Sequence, residues 1–138
     1  MTAQRIVAVD PGREKCGVAV MDGGQGILHR EIVAAQRLSM VVSALLAKYE
    51  CQRVVLGNQT FARSVRESLQ PLIDHGQASE IAMIDERGST GEARARYWQE
   101  YPPTGWRHFI PLGLLVPPCA VDDFAAIILA ERYFQKNI

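Results

Sequence analysis

Arg5-Ile6-Val7-Ala8-Val9-Asp10-Pro11-Gly12 is the stretch on which the reading of this chain turns. Its apolar residues run consecutively instead of alternating with polar ones, which describes a strand covered on both faces and therefore central in its sheet. Pro11 has no N–H to give a ladder and Gly12 tolerates positive φ, so the strand stops where Asp10 leaves it, at the rim of the sheet. An aspartate before Pro-Gly is either a turn-former or a ligand, and this stretch alone leaves both open.

Working outward, residues 17–21 read as a second strand, and Asp22-Gly23-Gly24-Gln25-Gly26 as a strong turn. A third strand follows over residues 27–34. Connections this short demand an antiparallel meander. The period then changes: Leu38, Val41, Val42, Leu45, Leu46 and Tyr49 recur at three and four, as on an amphipathic helix. Strand four is residues 53–57. Asn58 or Thr60 is placed to cap a second helix with Phe61, Val65, Leu69, Leu72 and Ile73 on its buried face, stopped by Gly76. Strand five, 81–84, runs into Asp85-Glu86-Arg87-Gly88, and Ser89 with Glu92 has the spacing of a capping box that opens a third helix. That helix carries Ala93, Tyr97 and Trp98 and ends before Pro102-Pro103. Residues 101–118 form a long Pro- and Gly-rich connection whose Trp106, Phe109, Leu112, Leu114 and Leu115 predict a loop packed against the body. The last helix, 120–133, is apolar on nearly every side and is expected to be buried.

Strand–helix alternation after the meander requires right-handed crossovers and parallel pairing. The expected fold is α/β: one domain over 1–138 with a five-stranded mixed sheet, order 3-2-1-4-5, and helices on both faces. At 138 residues, 48% hydrophobic and 22% charged, the chain has ordinary globular composition. Its three cysteines, Cys16, Cys51 and Cys119, show neither CxxC nor Cys/His clustering and are expected to be reduced, half-buried bystanders. No signal peptide or membrane span is read, which makes the expected address cytoplasmic. Zero formal net charge argues against a coat for non-specific nucleic-acid binding but leaves room for a local basic groove. Arg13, Lys15, Arg87, Arg94 and Arg96 flank the acids singled out next.

Ligands of open parallel sheets bind beyond the carboxyl ends of the strands. Strand one ends in Asp10 and strand five at Asp85-Glu86, and the Gly57-Asn58 turn emerges on the same edge. The last helix opens with Asp122-Asp123, where the macrodipole and capping account for one acid without any function. Carboxylates gathered from separate elements raise one another's pKa unless cations intervene. Oxygen-only ligands favour Mg²⁺ or Mn²⁺ over zinc. Two such ions about 4 Å apart can activate water and stabilise a leaving oxygen in phosphodiester hydrolysis. In that arrangement Asp10 bridges the metals, Glu86 holds one and Asp122 the other, while Asp123 assists or serves the helix start.

The segments Asp10-Pro11-Gly12-Arg13-Glu14-Lys15-Cys16-Gly17-Val18-Ala19-Val20, Asp85-Glu86-Arg87-Gly88-Ser89-Thr90-Gly91-Glu92-Ala93-Arg94 and Val121-Asp122-Asp123-Phe124-Ala125-Ala126-Ile127-Ile128-Leu129 resemble the three motifs of the YqgF family. That family comprises RNase H-like proteins described as Holliday-junction resolvases and also assigned to maturation of the 5′ end of precursor 16S ribosomal RNA. The resemblance covers nearly the whole chain. It implies the RNase H-like fold, dependence on a divalent metal, and Asp10, Glu86 and Asp122 as an acidic triad. The chain departs from the pattern at Gly57-Asn58-Gln59, where many relatives carry Gly-Leu-Pro, and at Asp123, where many have a less acidic residue.

The leading expectation is thus a metal-dependent nuclease acting on structured RNA or branched DNA, with the pre-30S ribosomal particle as a partner and a monomer or homodimer as the working unit. Arg13, Lys15, Asn58, Arg87, Ser89, Thr90 and Arg94 are the candidate substrate contacts, Ser89 doubling as the cap. Tyr101 and Trp106 are candidates to stack on unpaired bases or simply to pack. His29, His75 and His108 are scattered and receive no catalytic role. Two other readings stand beside this one: a nucleic-acid-binding protein that does not cut, and a phosphate-binding lobe of the sugar-kinase and actin-like kind, which one lobe of this length cannot complete.

Overall fold

The computed structural model describes residues 4–136. β1 (Arg5–Asp10) lies at the centre of a five-stranded sheet of order β3-β2-β1-β4-β5. β2 (Lys15–Asp22) and β3 (Gly26–Ala34) make the antiparallel meander. β4 (Arg53–Gly57) pairs parallel with β1, and β5 (Glu80–Ile84) parallel with β4. The helices are α1 (Leu38–Lys48), α2 (Ala62–Asp74), α3 (Ser89–Glu100) and α4 (Asp122–Lys136). Among the described residues no helix is long and apolar enough to cross a membrane.

Side chains alternate along a strand, and here each face has its own helices. Val7, Val9, Val18, Val20, Val54 and Leu56 pack with Leu38, Val42, Val65 and Leu69 of α1 and α2. Ile6, Ala8, Ala19, Met21 and Val55 pack with Tyr97 and Trp98 of α3 and Phe124, Ile127 and Leu129 of α4. Ile6, Val7, Ala8 and Val9 are wholly buried. Each fully covered Ile or Val contributes about 1.5–3 kcal/mol. Asp10 follows Ile6 and Ala8 in the alternation and so belongs to the α3/α4 face; a one-residue slip of β1 would turn it into the apolar α1/α2 layer.

Four local expectations are corrected. Neither Asn58 nor Thr60 caps α2: Phe61 occupies the N-cap in the left-handed region at φ 67°, half exposed instead of joining the buried face. Ser89 does not cap α3. Gly88, at φ 76°, is the N-cap, Ser89 is buried, and the Glu92 carboxylate pairs with Arg132 instead of reaching back. The connection between α3 and α4 is not packed flat: Leu115 joins the core, but Trp106, Phe109, Leu114 and Val116 face outward. Cys16 and Cys51 are buried, whereas Cys119 is exposed.

Candidate active site

Asp10, Glu86 and Asp122 come from three elements to one edge of the sheet. Asp10 ends β1, Glu86 follows β5, and Asp122 is the first residue of α4. The Asp10 carboxyl group lies within hydrogen-bonding reach of Glu86, a bond it can donate only in its protonated form. Burial first, then that bond and the charges of Glu86 and Asp122, push the Asp10 pKa up to about 8. Asp122 is also raised, mainly by burial and further by Asp123, with the Lys15 ammonium pulling the other way. Lys15 is thereby placed within electrostatic reach of the acids.

Two glycines make this convergence sterically possible, and the sequence reading did not single out either for that role. Gly17 is the register partner of Asp10 on β2, and a Cβ there would lie 1.7 Å from the Asp122 carbonyl oxygen. The start of α4 therefore rests on bare backbone beside Asp10. On the other side, one step beyond the Val9–Leu56 pair, a Cβ on Gly57 would lie 2.7 Å from Glu86 Oε2 and 3.2 Å from Leu129 Cδ1. The only available signal was a glycine at a fixed place in a buried strand, which marks close approach without naming what approaches.

Backbone and cationic groups hold the acids in place. Glu86 is buried, and its Oε1 accepts the Gln59 N–H at 2.6 Å. A proline at position 59 would have no N–H to offer. The left-handed Phe61 completes the same turn. Arg132 of α4 donates to the Asp85 carbonyl at 2.9 Å and to Glu92 at 2.8 Å, tying the Asp85-Glu86 turn and α3 to α4. Asp123 is engaged elsewhere: its buried carboxylate receives Arg30 Nη1 of β3 at 2.6 Å. Cys16 lies close enough to feel Asp10 and Asp122, but burial pushes its thiol pKa up, so it is no nucleophile.

Of the candidate substrate contacts, Arg13, Lys15, Asn58, Arg87, Thr90 and Arg94 are solvent-exposed, whereas Ser89 is buried and turned away from that task. Arg13 lies in the turn after Asp10, Lys15 opens β2, and Arg87 adjoins Glu86. Arg96 is committed to a two-pronged pair with Glu131, at 2.8 and 2.9 Å.

Among the described residues no three His, Cys, Asp or Glu side chains are already gathered as a metal-binding group. The donor chemistry nonetheless fits a hard divalent cation. A half-buried Asp10 whose pKa is raised to about 8, against Glu86 and near Asp122, is short of positive charge, and all the donors are oxygen.

No family model and no curated protein sequence matches the chain. Solved structures do. RuvC of Thermus thermophilus aligns over 97% of this chain and 96% of its own at 16% identity, TM-score 0.63. The same protein in complex with a Holliday junction substrate aligns over 97% and 95% at 17% identity, TM-score 0.62. The Holliday junction resolvase of fowlpox virus aligns over 98% and 100% at 14% identity, TM-score 0.63. The chain has the RNase H-like fold of these proteins.

Proposed function

We propose that this protein is a divalent-metal-dependent nuclease that hydrolyses phosphodiester bonds in nucleic acid. The observation that carries the reading is the convergence of Asp10, Glu86 and Asp122 at one sheet edge, where glycines at 17 and 57 leave them room. Asp10, Glu86 and Asp122 would hold the metal, Mg²⁺ or Mn²⁺, in a site for two ions. Bound there, the metal would supply a lowered pKa for water and charge stabilisation at the scissile phosphate. A cation held there would take the place of the proton that Asp10 retains. The Gln59 N–H fixes one Glu86 oxygen, leaving the other turned towards the space that Gly57 keeps free. Asp123, paired with Arg30, positions the first turn of α4 and hence Asp122. Exposed Arg13, Lys15, Arg87 and Arg94 would meet the phosphate backbone, with Asn58 and Thr90 as neutral contacts.

For the substrate we propose the 5′ end of precursor 16S ribosomal RNA, within the pre-30S particle in the cytoplasm, on the strength of the three YqgF-like motifs. A second reading, branched DNA, is favoured by the near full-length likeness to RuvC bound to a Holliday junction. The two separate by assembly: resolving a junction takes a symmetric pair of sites, whereas trimming one RNA strand needs only one.

The test is cleavage of a structured precursor RNA and of a four-way DNA junction with Mg²⁺ or Mn²⁺, beside Asp10→Asn. Metal-dependent cleavage that drops at least about a hundredfold in the variant is expected, since even outer-shell partners of metal ligands are worth 10- to 100-fold. Cleavage that survives the substitution removes this site from the reaction. A monomer that cuts only RNA supports ribosomal processing; a dimer that cuts the junction symmetrically supports resolution.

A further inference from the structure

The connection between α3 and α4 is tied together at its ends and carries exposed apolar side chains between them. Arg30 closes the base: its guanidinium donates to Asp123 Oδ2 at 2.6 Å and to the Tyr101 hydroxyl at 3.0 Å, and lies 4.4 Å from the Phe124 ring centroid. Tyr101 ends α3, and Asp123 follows Asp122 at the start of α4. Both stems therefore meet at the residue next to a candidate metal ligand. Beyond that base, Trp106 is 70% and Phe109 86% exposed, with Leu114 and Val116 exposed nearby. Four large apolar side chains left exposed within eleven residues of one connection are candidates for a contact surface.

The charge of the segment selects the kind of partner. Between residues 101 and 121 there is no Asp or Glu, and the single Lys or Arg is Arg107. Its guanidinium sits 5.6 Å from the Trp106 ring centroid, and His108 stands edge-on to Phe109 with ring centroids 5.6 Å apart. Exposed aromatic faces beside a guanidinium, with no carboxylate among them, suit a polyanion whose flat bases can stack.

We propose that this connection is a stacking arm for unpaired bases, Trp106 and Phe109 receiving successive bases and Arg107 their phosphate, so that single-stranded nucleic acid is led to the acids at its base. The inference rests on the nuclease reading for the ligand class, and it deepens that reading by naming single-stranded segments as what the arm holds.

The experiment keeps the two separable by working in chelator, where no cleavage occurs. A thymidine homopolymer of about a dozen nucleotides is titrated into the protein while tryptophan emission is followed. Trp98 is buried, so Trp106 is the reporter. Quenching is expected, retained in Asp10→Asn. Binding followed through a dye on the oligonucleotide should weaken about tenfold or more in the double variant Trp106→Ala, Phe109→Ala, and far less in Trp106→Phe, which keeps a ring. A blunt duplex of equal length should lose little. Absent quenching, or equal losses on single strand and duplex, would overturn the proposal. So would a wild-type dimer that the double variant converts to monomer, because the patch would then be covered by a second copy. Quenching that persists in a protein unable to cleave any substrate would leave the arm standing and remove only the nuclease.

Discussion

Asp10 and Asp22 occupy opposite ends of one antiparallel pair, and the fold treats them in opposite ways. The β1–β2 register sets Asp22 against Arg5 and Asp10 against Gly17. Asp22 receives the Gly24 N–H at 2.7 Å, the Gln25 N–H at 3.0 Å and Arg5 Nε at 2.9 Å, and these donors lower its pKa. Asp10 meets Glu86 and Asp122 instead, and its pKa is raised to about 8. One end is a finished turn with both carboxylate oxygens directed at donors. The other gathers like charges that need an added cation, an arrangement that belongs to function and costs stability.

Exchanging the two aspartates one at a time breaks the comparison if it is wrong, and carries the largest effects. Asp10→Asn, already expected to lose cleavage at least about a hundredfold, should melt higher than wild type at pH 8 in chelator, because an amide ends the repulsion among the acids. Asp22→Asn should melt a few degrees lower and cleave normally, since it weakens the bonds that close the β2–β3 turn and touches no site residue. A loss of melting temperature in both would show that Asp10 is structural as well.

The glycines sharpen the same contrast at smaller scale. Gly17→Ala would drive its methyl into backbone, 1.7 Å from the Asp122 carbonyl, so the start of α4 must lift from the sheet. A destabilisation of about 3 kcal/mol is expected, at the upper end for overpacking. Gly57→Ala meets mainly the Glu86 carboxylate, the movable end of a side chain. Its stability should stay within about 1 kcal/mol of wild type while cleavage falls about tenfold or more through the displaced carboxylate. Denaturant melts paired with initial rates separate the two outcomes.

Which of these features could be read from the sequence depended on how local their causes are. The unbroken Ile6–Val9 run and the helical period after residue 34 sufficed for a central first strand in a mixed sheet, because strand burial and helix amphipathicity are written in neighbouring residues. Asp10 and Glu86 stood out for the same reason, each ending an apolar strand. The caps did not. Ser89 has the right spacing for a capping box, yet Gly88 ahead of it takes positive φ and Ser89 goes inward, while Glu92 finds a better partner in Arg132, forty residues away. Phe61 in the left-handed region is invisible to propensity, since its turn is drawn in by the Gln59 bond to Glu86. Asp123 looked interchangeable with Asp122 until Arg30, distant in the chain, claimed it. Apolar residues at 106–116 fit a packed loop or an exposed arm equally well, because composition does not say which surface they meet.

The pH dependence of stability is the smallest of the expected effects and the one that weighs both aspartates in a single curve. Unfolded carboxyl groups titrate near pH 4. Asp10 in the native protein retains its proton to about 8, so across that window the folded state binds more protons than the unfolded one. Its contribution to stability is then full below about pH 4 and declines as pH rises towards 8. Asp22 works in the opposite sense: its lowered pKa contributes stability above the unfolded value, lost as pH falls through the folded one. Metal-free protein should therefore melt lower at pH 8.5 than at pH 6, and lower again in acid. Millimolar Mg²⁺ competes with the proton that Asp10 retains, so it should raise the melting temperature more at pH 8.5 than at pH 6. In Asp10→Asn the alkaline decline and the pH-dependent part of the metal effect should both disappear, while the acid limb, set in part by Asp22 at the other end of the strand pair, remains. An alkaline decline that survives Asp10→Asn would assign the retained proton to another group and leave the Asp10–Glu86 pair without its distinguishing property.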